Sequence, residues 1–395
     1  MRIPNNGSRL TAILMRLVAE IRKCSLSSSG KIISVDKASI PSKRIAYLDV
    51  AKGIGILLVV LGHNYIKASV PSLGRFISSF HLPFFFLLSG MFFKPYYPLL
   101  ALSKRRFYSL LRPYLVSILL LYSVYFFYTD IKIMTILRRV VRSLYASGNY
   151  IEWAQLWFLP HLFILNMFAG VLFLLFYGRI KWLWLRLVFL AGMLWAGVAF
   201  LPIYYMQEVT IASQTFLLHG FPFSMDLLLV TATYFLIGYE IMQRVPERFF
   251  GSLWTLIVSG LLLVTLNVIF PYSVDFFFRT YDSYIVNTLE ALSGIVFLLA
   301  LSSRIALKRN WLFALLKYFG QITIILLIFH QPAQTLTYSH IARLIENPFI
   351  ACPISFLAGV GVPVLIYQLI LKDNPRLAGW FGLRQSTDVK QETSV

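Results

Sequence analysis

Residues 44–63, RIAYLDVAKGIGILLVVLGH, place ionisable groups at both ends of an apolar segment of helix length. Asp49 and Lys52 stand near its start and His63 at its finish. At about 100° and about 1.5 Å per residue, Lys52 and His63 share nearly one helix face, roughly 16 Å apart along the axis. A helix that only anchors a chain in lipid needs none of these groups. Ionisable side chains inside a spanning helix are costly and point to a functional interior.

The elements that must hold these groups follow from composition. The 395-residue chain is 58% hydrophobic and only 13% charged, with a mean hydropathy of +0.73. Soluble domains carry about a quarter charged residues, so this is a polytopic membrane protein. Its 34 Phe, 22 Tyr and 8 Trp suit lipid-facing surfaces and interfacial belts. Cys24 and Cys352 form no metal-ligand spacing, and no P-loop or nucleotide-binding Gly pattern is evident. The net charge of +20 reflects topology and contact with anionic lipid, not nucleic acid.

Residues 1–43 read as a basic cytoplasmic arm, 44–371 as the membrane domain and 372–395 as a polar cytoplasmic tail too short to fold alone. The expected fold is an all-α transmembrane bundle of about ten spans. They run near 48–66, 74–93, 108–129, 155–177, 182–202, 223–242, 252–271, 285–303, 312–331 and 349–371. Pro83 interrupts the second and Asp226 the sixth. The distribution of Lys and Arg between alternate loops puts both termini in the cytoplasm. In the loop 130–154, Ile133, Ile136, Leu137 and Val140 recur at the spacing of a surface helix.

This topology sorts the embedded ionisable residues by depth. His63, His81, His161, Asp226, Glu290 and His330 come from six helices and share the outer leaflet. Each alone could be a satisfied interhelical hydrogen bond; together they suggest a common polar interior. At the inner side lie Asp49, Lys52 and SKRRFYSLLRPY, where Arg106 and Arg112 flank a helix mouth and could bind phosphates.

With these residues in place, the chain resembles the acyltransferase-3 membrane proteins, and within them the fucose 4-O-acetylase-like branch. LDVAKGIGILLVVLGH is similar to the family's opening Leu-Asp-x-x-Arg-Gly segment with its spaced histidine, with Lys52 in the arginine's place. FHLPFFFLLSGMFFK, KRRFYSLLRPYL, LWFLPHLF, SMDLLLVTATYFLIGYE and LKYFGQITIILLIFHQP resemble later segments in the expected order. The resemblance covers about residues 44–371 and not the terminal extensions.

It implies transfer of an acyl group, usually acetyl from acetyl-CoA as co-substrate, to a sugar hydroxyl of an exported or cell-surface polysaccharide or its lipid-linked precursor, in the bacterial inner membrane. No permanently bound cofactor is implied. His63 would be the base, with Asp226 or Glu290 orienting it or with transient acylation of His63 itself. Lys52, Arg106 and Arg112 would hold CoA, and His81, His161 and His330 would shape the acceptor pocket. Glycines 53, 55 and 62 would admit a neighbouring helix or the pantetheine arm. The rival readings are a transporter or flippase of acyl groups or lipid-linked sugars, the same enzyme with another acyl group such as succinyl, and a non-catalytic component of polysaccharide assembly.

Overall fold

The computed structural model describes residues 45–128, 131–211 and 213–383. The expected arm 1–43 lies outside these residues, as does the tail beyond residue 383. Helix α1 (Ala46–Gly62) sits at the centre of the bundle and buries Leu48, Val50, Ala51, Ile56 and Val60. It is followed by α2 (Pro71–Ser78), α3 (His81–Met91), and α4 (Leu99–Arg106). A π-helical turn, Phe107–Leu111, leads into α5 (Arg112–Tyr128). Next come α6 (Ile133–Tyr145), α7 (Phe158–Leu175) and α8 (Leu183–Phe200).

A hairpin of β1 (Tyr205–Ile211) and β2 (Gln214–His219) then precedes α9 (Leu228–Arg244) and α10 (Leu253–Ile269). A short hairpin of β3 (Val274–Asp275) and β4 (Thr280–Tyr281) precedes α11 (Tyr284–Lys308). The chain closes with α12 (Trp311–Gln321), α13 (Thr323–Leu344), α14 (Pro348–Ile366) and α15 (Pro375–Trp380).

Several helix starts are written in the sequence. Ser283, Asn310, Asn347 and Asn374 each accept a hydrogen bond from a backbone N–H in the first turn of the helix they cap. Pro348 and Pro375 occupy the first helical position, where a missing N–H costs nothing.

Among the described residues, six helices are long and apolar enough to cross a membrane, and seven if α12 and α13 count together. The all-α expectation holds for this bundle, with two hairpins added between helices. Four expected spans differ in detail. Helix α1 and α10 have 17 residues each, or about 25 Å at 1.5 Å per residue, against a hydrocarbon core of about 30 Å. The second expected span is two helices parted at Ser79–Phe80. Pro83 does not break it, because Pro83 lies in the first turn of α3, where proline is tolerated.

The ninth expected span is also two helices, meeting at an 84° bend at Ile322. The Thr323 hydroxyl donates to the Phe319 and Gly320 carbonyls at 3.2 and 2.8 Å, ending the ladder of α12 there. Helix α12 crosses α1 at close range: a Cβ at Gly53 would overlap the Leu316 carbonyl, and one at Gly320 would overlap the Asp49 carbonyl. Only glycine permits this approach on both helices. Thus Gly53 admits a helix, and Gly55 meets the rings of Phe84 and Phe85.

The surface helix expected in 130–154 is α6. Its Ile136 is buried, while Ile133 and Leu137 are exposed. It is tied to α5 by the Tyr122 hydroxyl, which pairs with Ser143 Oγ at 2.8 Å, and by the Tyr114 hydroxyl on the Ser143 carbonyl. The start of the expected polar tail is not free: α15 packs back on the bundle, with Ala378 and Phe381 buried.

Candidate active site

A cavity of about 310 Å³ lies against α1, α3, α13, the start of α7 and the β3–β4 hairpin. That volume is in the range of small-molecule sites, about 300–1,000 Å³. Along α1 its wall runs from Ile56 through Val59 to His63, a stretch of roughly 10 Å by helix rise. His63 is the residue that caps the end of α1. The titratable groups facing it are His330, Lys67 and His81.

Two further histidines surround it as expected from sequence. His81 lies on the cavity wall, and its Nδ1–H donates to the Ile77 carbonyl at 2.8 Å, leaving Nε2 as the basic nitrogen. His330 is fully buried, and its ring centroid is 5.2 Å from that of His63. Its Nδ1 bonds to the Leu326 and Leu327 carbonyls at 2.8 and 3.0 Å, which requires the proton on Nδ1. Nε2 is buried without a hydrogen-bond partner. His330 is the eighth residue of the 22-residue helix α13 rather than the end of a span.

The other three embedded candidates sit elsewhere. Asp226 precedes α9 and does not line the cavity; its carboxylate takes Arg279 at 2.7 and 3.4 Å and the Phe221 N–H at 2.9 Å. Both side chains of that ion pair are 1% exposed. Glu290 accepts from the side chains of Asn267 and Asn287, at 3.3 and 3.0 Å. Neither carboxylate is a hydrogen-bond or charge partner of His63, so the expectation that one of them orients it is corrected. His161 has both ring nitrogens occupied, by the Phe223 carbonyl at 3.1 Å and the Thr231 hydroxyl at 3.0 Å. It supports the fold and is not on the cavity wall.

The carboxylate that shares the cavity with His63 is one the sequence reading passed over, Asp275 on the β3–β4 hairpin. Its Oδ1 accepts the N–H groups of Phe277 and Phe278 at 2.8 and 3.2 Å, and burial pushes its carboxyl above the ordinary value. Arg279 positions it indirectly. Besides pairing with Asp226, Arg279 donates through Nη1 to the Phe276 and Phe277 carbonyls at 3.3 and 2.8 Å. The buried pair therefore ties the hairpin, which carries Asp275, Phe277 and Phe278 into the cavity, to the root of α9.

A second group missed from sequence is the amide pair behind His63. The Asn64 Nδ2 donates to Gln334 Oε1 at 2.7 Å, Ser355 Oγ at 3.0 Å and the Cys352 carbonyl at 3.1 Å. Gln334 Nε2 in turn donates to the Val60 carbonyl at 2.9 Å, one of the acceptors orphaned at the end of α1. Helices α1, α13 and α14 are thereby clamped immediately beside His63. The sequence offered a signal: Gln334 is four residues after His330, on the same helix face.

The expected CoA-binding groups lie apart from this cavity. Lys52 is one turn beyond Ile56, 3.6 Å from Asp49 and 4.7 Å from the centroid of Phe92. Arg106 ends α4 and Arg112 begins α5, on either side of the π-helical turn. Arg112 donates to the Gly379 carbonyl and lies over the Tyr108 ring, so part of its guanidinium holds α15 in place.

Fold and cavity together define a helical integral membrane protein with an imidazole at the wall of a small-molecule site. The family model described as an acyltransferase domain, that of the acyltransferase-3 family, matches residues 45–368, and the chain belongs to this family. It is a membrane acyltransferase. No curated protein and no solved structure matches it.

Proposed function

We propose that the protein transfers an acetyl group from acetyl-CoA to a sugar hydroxyl of a cell-surface or exported polysaccharide, or of its lipid-linked precursor. The observation that carries this reading is the placement of His63 on a cavity that extends along α1 to within one turn of Lys52. In it, the acceptor hydroxyl oxygen attacks the thioester carbonyl while its proton passes to neutral His63. The C–S bond then breaks, and the imidazolium returns the proton to the departing CoA thiolate. His330 stands beside His63 with its ring centroid 5.2 Å away and its Nε2 buried without a donor; a rotation of the His63 ring that brought its N–H to that nitrogen would set the His63 tautomer, the role a carboxylate has in a triad. His81 lines the same cavity, with Nε2 as its basic nitrogen.

Lys52, Arg106 and Arg112 hold the negatively charged CoA at the cytoplasmic end. The pantetheine arm follows α1 over roughly 16 Å of helix rise between Lys52 and His63. The reading counts α1, the α2–α3 pair and α10 with the up to seven spans that length and composition support, for ten crossings, and takes both termini as cytoplasmic from the loop charges. The setting is the bacterial inner membrane, and the nearest branch is the fucose 4-O-acetylase-like one. The test is mass analysis of surface glycans from cells with and without the gene. Loss of an acetyl increment, restored by the wild-type gene and not by His63→Ala, is the expected result. Unchanged glycans in the deletion overturn the reading.

A further inference from the structure

Helix α6 has three sides of different chemistry. Ile136 and Ser143 turn to the bundle and are buried, and the Tyr114 and Tyr122 hydroxyls fasten Ser143 to α5. Away from the bundle, Ile133, Met134, Leu137, Val141 and Leu144 are between 49% and 67% exposed. At about 100° per residue they fill one arc of about 100° around the helix. Arg138 and Arg142, one turn apart, fill the arc beside it and are exposed. Among the described residues neither of these arginines has an acidic partner, whereas Arg139 is paired with Glu152 at 2.6 Å.

Neither bulk phase suits such a helix. Water would hydrate the whole apolar arc, and hydrocarbon would surround two guanidinium groups that have no counter-ion. The membrane–water interface satisfies both arcs. Helix α5, to which α6 is tied, exposes Leu119, Leu120, Val124 and Phe127 and belongs to a segment long and apolar enough to span. The apolar arc of α6 adds to that lipid-facing surface. Charge then selects among lipids. Lys132 at the head of α6 is exposed as well. In the ten-crossing topology proposed above, these cations stand on the side where the loop-charge rule does not call for them. A guanidinium pairs with phosphate oxygens through parallel N–H bonds, and a zwitterionic headgroup brings its own cation to compete.

We propose that α6 lies in the membrane interface with its apolar arc in the lipid, and that Arg138 and Arg142 form a binding site for the phosphate of an anionic phospholipid. Such binding depends neither on acyl transfer nor on which leaflet α6 faces.

The test is site-resolved crosslinking, which needs no turnover. Full-length protein is placed in nanodiscs of phosphatidylglycerol and phosphatidylcholine in equal amounts, with a trace of either lipid carrying a photoactivatable group near its headgroup. Crosslinked peptides are mapped by mass spectrometry. Phosphatidylglycerol should label residues 133–145 at least about fivefold more than phosphatidylcholine, since each cation at an anionic surface contributes about a fivefold gain in binding. In the double variant Arg138→Gln with Arg142→Gln, at an unchanged melting temperature, labelling of α6 by phosphatidylglycerol should fall to the phosphatidylcholine level while labelling of α5 stays as in the wild type. Removing two exposed charges elsewhere, Arg248→Gln with Arg343→Gln, should leave the preference intact. Equal labelling of α6 by the two lipids, or a preference retained in the folded α6 double variant, overturns the proposal. So does a preference lost equally in the distant double variant, which would make it an effect of net charge. Labelling of α5 but not of α6, or crosslinks from α6 to a second copy of the chain in place of lipid, would also overturn it.

Discussion

Removing the charge of Asp226 tests whether the β3–β4 hairpin is held by its buried ion pair. Asp226→Asn keeps an oxygen for the Phe221 N–H but leaves the Arg279 guanidinium, 1% exposed, without its counter-ion. Breaking one side of such a pair costs roughly 3–5 kcal/mol, because the surviving charge stays buried. Arg279→Met removes the opposite charge and also the two bonds to the Phe276 and Phe277 carbonyls. Replacing both charges by apolar residues, Asp226→Leu with Arg279→Met, avoids the orphaned charge and is expected to recover most of the loss. The assay is unfolding of the detergent-solubilised protein, with hydrogen exchange over residues 274–281 as the local readout. The single variants should melt lower and exchange faster in the hairpin, and the double variant should lie closer to the wild type than either. If Asp226→Asn melts and exchanges like the wild type, the pair does not anchor the hairpin, and the argument linking Asp226 to the cavity fails.

Three further outcomes follow from the same geometry. Asn64→Ala leaves Gln334 Oε1 without its donor in a buried site, so a loss of about 1–3 kcal/mol is expected, read as a lower melting temperature. Gly53→Ala drives a methyl group into the Leu316 carbonyl and should destabilise by about 1–3 kcal/mol or more, whereas Gly361→Ala, with nothing within 4 Å of the added Cβ, should melt as the wild type does. Burial raises the Asp275 carboxyl above its ordinary value of 3.8 in the folded protein. The folded state therefore binds its proton more tightly than the unfolded chain. The wild type should lose stability relative to Asp275→Asn as pH climbs from near 3.8 through the raised value, and hold a constant difference above it; a difference independent of pH would contradict the burial.

What the sequence made legible was local. The apolar run ending in His63 announces α1, and Asn347-Pro348 and Asn374-Pro375 announce the starts of α14 and α15. Residue type and depth also brought His63, His81 and His330 together. The same reasoning misassigned the carboxylates, because depth says nothing of rotation about a helix axis or of partners far along the chain. Asp226 is held by a residue 53 positions away and Glu290 by one 23 positions away. Asp275 was passed over because it stands outside every expected span, in a loop that returns to cover the cavity. Hydropathy likewise treats 312–331 as one span; it contains neither the bend at Ile322 nor the close approach of Gly320 to the Asp49 carbonyl just before it.

The central claim, that His63 is the base for acyl transfer, is tested most directly by one rate. Purified protein in nanodiscs is given radiolabelled acetyl-CoA and deacetylated surface glycan from its own cells, and label in the glycan is followed for wild type, His63→Ala and His63→Asn. A general base contributes about 10²–10⁴ in rate, so both variants should fall by at least a hundredfold while keeping the wild-type melting temperature. Transfer by folded His63→Ala at a rate near that of the wild type would contradict the account.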